Sequence, residues 1–265
     1  MDPAGCSSRG LQRNLTGRSN ARNPAEASLK AFLLAAGHGT RLRPITDTIP
    51  KCLVPIQGVP ILALWLQCCK RVGIDEVLIN LHAHATPVRE FLRQNAAATP
   101  VRIVEEAELL GSAGTLRANR DWIGSDDLFW VFYADVLNCA DLEGMLRVHR
   151  ERRPAATLGV YQVPDPHRCG IVTTNGDGVI EQFVEKPIDP TGNWAFSGLM
   201  LGTPEMLEVI PEDTPADIGF HVLPRLAGRM VAFPIRDYLI DIGTMENYRR
   251  AQATWPGFQG GLSDL

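Results

Sequence analysis

The sequence contains no apolar run approaching the roughly 18 residues of a membrane span, and no apolar centre follows its N-terminal arginines. A spanning helix and a secretory signal are therefore not expected, and a cytoplasmic location is. The six cysteines (Cys6, Cys52, Cys68, Cys69, Cys139 and Cys169) include no C-x-x-C pair and no zinc or disulfide spacing. Reduced, structural thiols are expected. Charge of one sign is also scarce: charged residues make up 21% and the formal net charge is −4. The chain thus has no overall field to hold nucleic acid or an anionic membrane, and any phosphate ligand must meet locally placed cations. Dinucleotide and ATPase glycine patterns are missing as well. Leu42 stands where G-x-G-x-x-G requires its third glycine, and no Gly-Lys-Ser/Thr follows. His82 and His84 alternate at a strand end with no Cys or carboxylate spacing to complete a metal site, so they read as solvated.

Hydrophobic residues make up 45% of the 265 positions, enough for an ample core. Residues 1–28 are rich in Ser, Asn, Arg, Gly and Pro and read as a disordered tail. Residues 29–265 read as one domain. Strands are expected at Ala31–Ala35, Glu76–Leu81, Val101–Glu105 and Leu128–Tyr133, alternating with helices at Pro60–Val72, Pro87–Gln94, Ala113–Asp121 and Leu142–Arg150. This is the pattern of a doubly wound α/β fold with a mostly parallel mixed sheet, in which ligands sit at the carboxyl ends of strands. The second half reads as an extension with strands at Ala156–Gln162, Gly170–Thr173, Val179–Val184 and Phe196–Leu201, and a hairpin turn at Asn175-Gly176-Asp177-Gly178. Helices at Glu205–Ile210, His221–Ala227 and Met245–Ala253 are expected to cover it.

The most informative segment is LLAAGHGTRLRPITDTIPK, Leu33–Lys51, directly after the first expected strand. Gly37 and Gly39 let backbone N–H groups approach phosphate oxygens, Thr40 adds a hydroxyl donor, and Arg41 and Lys51 supply fixed positive charge. Asp135 follows the apolar run LFWVFY and Asp241 follows Tyr238-Leu239-Ile240, so both are expected at strand ends. Two carboxylates so delivered suit Mg²⁺, and capping of the following turn is the competing role for either.

The run G-x-G-T-R-L-x-P-x-T-x-x-x-P-K, from Gly37 to Lys51, resembles the signature of the sugar-phosphate nucleotidylyltransferases. The resemblance continues through LLGSAGTL at Leu109–Leu116, ADV at Ala134–Val136, FVEKP at Phe183–Pro187, FSGLML at Phe196–Leu201 and DIGTMENY at Asp241–Tyr248. It implies a Rossmann-like nucleotidyltransferase fold that joins a nucleoside triphosphate to a sugar or cyclitol 1-phosphate with release of pyrophosphate. On that resemblance Ala35, Ala36, Gly37, Gly39, Thr40, Glu106, Gly111 and Ser112 hold the nucleotide, and Arg41, Lys51 and Asp135 are catalytic. Gly170, Glu185, Lys186, Ser197 and Gly198 hold the sugar phosphate, while Asp135 and Asp241 ligate Mg²⁺. Ala134 replaces a common Gly and Ser197 a common Ala or Thr, which bears on the identity of the sugar. LLGSAGTL is most similar to the guanylyltransferase branch, which favours GTP over UTP, dTTP, CTP or ATP; Glu106 would accept from guanine N1–H and its amine. A regulatory subunit that binds nucleotide sugar without turnover and a dinucleotide-dependent oxidoreductase are the alternatives. No hexapeptide β-helix repeat precedes Leu265. A homo-oligomer stays open.

Overall fold

Successive side chains of a strand point to opposite faces of its sheet, and the first strand uses both. Ala31 and Leu33 enter one apolar cluster and Phe32 the other, each of the three fully buried. In the computed structural model residues 28–82, 85–95, 99–124 and 128–258 are described. Residues 1–27 of the expected tail, and with them Cys6, lie outside this set, as does His84.

The first half runs β1 (Lys30–Leu34), a loop of 3-10 turns, the ribbon β2 (Pro55–Ile56) and β3 (Val59–Pro60), and α1 (Ile61–Val72). Then come β4 (Glu76–Leu81), α2 (Ala85–Gln94), β5 (Val101–Glu105), α3 (Gly111–Ala118), α4 (Arg120–Ile123) and β6 (Phe129–Tyr133). β5, β4, β1 and β6 lie side by side, all parallel. α1 ends where Gly73 adopts φ 74° and gives its N–H to the last carbonyls, the usual left-handed stop for a helix. The apolar side of α1 packs on one sheet face, where Trp65 stacks on Phe132 at 4.7 Å and Phe132 on Trp130 at 5.1 Å. α3 packs on the other face through Ala113 and Leu116. The expected single helix Ala113–Asp121 is two, α3 and α4, which meet at Asn119.

The second half continues with β7 (Val136–Asn138), α5 (Leu142–Arg152), β8 (Ala156–Gln162), β9 (Gly170–Thr174), β10 (Val179–Glu185), β11 (Trp194–Gly202) and α6 (Pro204–Glu208). β12 (Met230–Pro234), β13 (Leu239–Asp241) and α7 (Met245–Thr254) complete it. The architecture is α/β with a mixed sheet whose two faces are both covered. Of the expected doubly wound, mostly parallel mixed sheet, the mixed sheet and the parallel block β5, β4, β1 and β6 are present, while the rest pairs largely antiparallel. β11 joins β6 antiparallel, and from β11 the order runs β8, β12, β10, β9 and back to β11 through Ala195 opposite Ile171. The sheet therefore closes on itself in the extension. The cause is a bulge in β11: its register against β8 shifts between Phe196 and Met200, where Gly198 takes φ 82°. A bulge bends its strand, which lets one half serve the wound sheet and the other half the closed ring.

The hairpin turn forms as its residues require. Gly178 N–H donates to the Asn175 carbonyl with Gly178 at φ 75°, and Asn175 Oδ1 accepts from the N–H groups of Asp177 and Val179. The helix expected at His221–Ala227 is instead a π-type turn, Ile218–Val222, running into a 3-10 turn, Leu223–Leu226. Pro224 cannot donate to a continuous α-helical ladder, which accounts for the difference. Among the described residues no helix is long and apolar enough to cross a membrane.

Candidate active site

β1, β4 and β6 end together, and a cavity of about 290 Å³ opens at their carboxyl ends. Ala35, Ala36 and Gly37 line it on leaving β1, and Ala35 N–H is fixed by Asn80 Oδ1 at 2.8 Å. Glu106, Gly111 and Ser112 line it too, as do Lys51 and Asp135. Gly39, Thr40 and Arg41 are not among its lining residues. The two loop glycines differ. A methyl at Gly37 would meet nothing within 4 Å, so its backbone is open to a ligand. Gly39 has φ 64°, and a methyl there would sit 2.9 Å from Thr46 Cγ2, while Thr46 Oγ1 donates to the Gly39 carbonyl at 2.7 Å. Gly39 serves the tight fold of the loop.

Glu106 is buried, and its carboxylate already has partners. Oε1 accepts from Asn80 Nδ2 at 2.8 Å and from Thr115 Oγ1, and Oε2 accepts from the Leu110 N–H at 3.1 Å. These three donors tie the ends of β4 and β5 to the start of α3 through Glu106. Removing it would take the acceptor from the Leu110 N–H and leave Asn80 and Thr115 with only each other and the Gly111 carbonyl, at a cost of about 1–3 kcal/mol. Glu106→Ala is expected to lower stability by about 2 kcal/mol and the melting temperature by about 6 °C in calorimetry. An unchanged melting temperature would show that the network carries no stability.

The charged end of the site brings four expected residues together. Lys51 Nζ is ion-paired with Asp135 Oδ2. Asp135 lies in the turn between β6 and β7, and Asp241 closes β13, which pairs with β7 so that Asp241 stands opposite Val136. A further backbone bond, Ile242 N–H to the Asp135 carbonyl at 3.0 Å, fixes the two segments. The Asp241 carboxyl is raised above its ordinary value, first by burial and then by the Asp135 charge. Lys51, the Gly243 N–H (2.5 Å) and Arg41 pull it the other way. A methyl at Gly243 would lie 2.7 Å from Asp241 Oδ1, 3.1 Å from an Arg41 guanidinium nitrogen and 3.4 Å from Lys51 Nζ, so these three charges converge, and Asp135 joins them through its ion pair with Lys51. Among the described residues no group of three or more His, Cys, Asp or Glu side chains gathers as a metal cage. His82 instead sets Nδ1 against the Glu106 carbonyl at 2.8 Å.

The extension carries the other expected residues. Glu185 ends β10, and a methyl at Gly170 would lie 2.6 Å from its Oε2, so Gly170 makes room for the carboxylate. Burial and, next, the Asp217 charge raise the Glu185 carboxyl, and Lys186 opposes them. Lys186 follows at φ 49°, its N–H bonded to the Cys169 carbonyl at 2.9 Å. Its ammonium lies 3.9 Å from Glu185 Oε1 and 5.4 Å from the centre of the Phe220 ring. A methyl at Gly198 would lie 3.0 Å from Tyr133 Cβ, which couples the bulge to the cavity wall. Ser197 lies in β11. Its buried hydroxyl accepts the Leu199 N–H at 3.2 Å, and a methyl at Gly159 would lie 2.7 Å from it. It sits beside the bulge of that strand.

The sequence profile of the nucleotidyl transferase family matches residues 30–256. The chain belongs to that family. It is 33% identical over 227 residues to a mannose-1-phosphate guanylyltransferase of Arabidopsis thaliana, covering 83% of this chain and 63% of the relative. It is 31% identical over 253 residues to a UTP-glucose-1-phosphate uridylyltransferase of Synechocystis, covering 89% of this chain and 64% of the relative. It thus spans less than two thirds of the length of either relative. Among solved structures, HddC from Yersinia pseudotuberculosis is similar with a TM-score of 0.73 and 25% identity, over 85% of this chain and 99% of the other.

In this nucleotidyl transferase chain, sequence reading passed over Asn80, Thr115, Tyr133 and Asp217. Asn80 had a signal: it is the polar residue in the otherwise apolar β4 run VLINL. Tyr133 ends β6 with its phenol raised by burial first and then by the Asp217 charge. Asp217 had no distinguishing signal.

Proposed function

We propose that this chain transfers a nucleoside monophosphate from a triphosphate to a sugar 1-phosphate, releasing pyrophosphate. The observation that carries the reading is the convergence of Arg41, Lys51, Asp135 and Asp241 beside a cavity floored by Ala35–Gly37. An oxygen of the sugar phosphate attacks the α-phosphorus, the bond to the bridging oxygen breaks, and the electron pair leaves with pyrophosphate. The nucleophile is already an anion, so no Ser, Cys or His need activate it. Arg41 and Lys51 would hold the phosphate oxygens, and the backbone at Gly37 would approach them. Asp135 and Asp241 would hold a divalent cation. Two carboxylates, one disfavouring the other's charge, make a donor set that a hard ion such as Mg²⁺ relieves while keeping waters and substrate phosphate as its other ligands. When bound, the ion supplies charge stabilisation across the breaking bond. Lys51, now paired to Asp135, would exchange that partner for phosphate when the cation takes the carboxylate.

For the base we propose GTP. The support is the guanylyltransferase relative and the LLGSAGTL motif, since the Glu106 oxygens are engaged by Asn80, Thr115 and Leu110. The acceptor would meet Glu185 and Lys186, the carboxylate accepting from ring hydroxyls and the ammonium pairing with phosphate. A cytoplasmic setting fits the free thiols, of which Cys52 and Cys68 are pushed up to about 12 by burial and are inert. Each triphosphate tested against mannose, glucose, heptose and cyclitol 1-phosphates should give the highest kcat/KM with GTP. A preference for UTP or dTTP would refute the base assignment while leaving the reaction class intact.

A pH dependence follows from Glu185. Its raised carboxyl should lose the ability to accept from hydroxyls as pH falls, and at a higher pH than an ordinary carboxylate. Asp217→Asn removes one of the two raising causes, so the acidic limb of kcat/KM for the acceptor should move to lower pH. An unmoved limb would show that another group sets it. The sign for stability is opposite to that of a salt-bridged acid. The folded chain holds this proton more tightly than the unfolded one, so the contribution is full at low pH and lost as pH rises through the folded value.

A further inference from the structure

We propose that Asp217 is a positioning residue that ties the nucleotide loop to the acceptor loop, so that seating one substrate strengthens binding of the other. The inference rests on the transferase reading and adds a coupling between its two subsites. Asp217 divides its carboxylate between them. Oδ2 accepts from Ser112 Oγ at 2.9 Å, and Ser112 lines the nucleotide cavity. Oδ1 accepts from the Phe220 N–H at 3.0 Å, capping the π-type turn that carries Gly219 and Phe220. That turn faces the acceptor residues. A methyl at Gly219 would overlap Glu185 Oε2 and lie 3.3 Å from Asp217 Oδ1, and the Phe220 ring lies under the Lys186 ammonium.

The backbone next to Asp217 is clamped to the nucleotide side just as closely. The Ala216 carbonyl accepts from Ala113 N–H at 2.9 Å and Gly114 N–H at 3.2 Å, and Ala216 N–H donates to the Leu110 carbonyl at 2.9 Å. Ser112 Oγ in turn accepts the Ile218 N–H at 2.8 Å. A shift of the α3 start therefore drags residues 216–218, and these carry Gly219 and Phe220 against Glu185 and Lys186. The two loops touch opposite sides of one short strap. Coupling of this kind is reciprocal: whatever factor the nucleotide adds to acceptor affinity, the acceptor must add to nucleotide affinity.

The test is calorimetric titration with the sugar 1-phosphate that the wild type turns over fastest and the α,β-methylene analogue of its partner triphosphate, each alone and each with the other saturating. Wild type should show mutual strengthening of about tenfold, within the usual range for coupled sites. Asp217→Ala should bring that factor below about twofold. Ser112→Ala removes the side-chain bonds to Asp217 and Ile218, leaves the Ala216 backbone bonds and the cap of the turn, and should do the same if Asp217→Ala fails to fold. A merely structural role would weaken both ligands and leave the factor unchanged. Undiminished coupling in a folded variant, or no coupling in wild type, overturns the proposal while pyrophosphate release by wild type still supports the transferase reading. Absence of turnover with every pair overturns both.

Discussion

Asp135→Asn and Asp241→Asn should each lower metal-dependent nucleotidyl transfer by about 10²–10³-fold, the usual cost of removing one preorganised electrostatic element from a reacting site. An amide keeps the size of the side chain and loses the charge that would hold a divalent cation. The stability consequences should differ between the two. Asp241 is raised by burial and by Asp135, so its ionised form is less favourable in the folded chain than in the unfolded one. Asp241→Asn removes that burden and should leave the metal-free protein as stable as wild type or slightly more so, a common trade between stability and activity. Asp135→Asn deprives Lys51 of its ion-pair partner and should bring no such gain. Rates measured against Mg²⁺ concentration, with melting curves taken without metal, check both statements. Near-normal rates at limiting Mg²⁺ for either variant would return that Asp to a turn-capping role.

Gly111→Ala should be the most damaging single methyl in the loop that leads into α3. Gly111 has φ 77°, a conformation that costs an L-residue roughly 1–2 kcal/mol, and the added methyl would overlap the Ala216 carbonyl oxygen. The obstacle is backbone, already bonded to Ala113 and Gly114, and cannot rotate aside. Either α3 or the strap at 216 must move. We expect a loss of about 2 kcal/mol or more in stability and about 10²-fold in kcat/KM, since displacements near 1 Å in a reacting site carry penalties of that order. Gly37→Ala is the matched control: its methyl meets nothing within 4 Å, so it should leave melting unchanged and weaken only triphosphate binding. Equal melting temperatures for Gly111→Ala and wild type would contradict the steric account.

These contrasts show where the sequence was legible. The loop from Gly37 to Lys51 could be read directly because its elements are contiguous, and Asp135 and Asp241 because each follows a short apolar run that had to be a strand. The parallel block followed from alternation of apolar runs and helical stretches. The closure of the extension did not, because it depends on one contact, Ala195 with Ile171, and on a bulge that no local pattern announces. Glu106 lines the cavity, and the sequence could not show that Asn80 and Thr115 would reach it from β4 and α3. Asp217 lies in the stretch PEDTPAD beside Glu212 and Asp213, which are exposed, and only the tertiary contact with Ser112 sets it apart.

The most direct test of the central claim is a pyrophosphate-release assay on the purified chain, with each triphosphate paired with each sugar 1-phosphate in the presence of Mg²⁺. The account predicts release that requires both substrates and the metal, with one nucleotide sugar formed per pyrophosphate. Tight nucleotide binding with no pyrophosphate above background for any pair would contradict it and mark the chain as a binding protein.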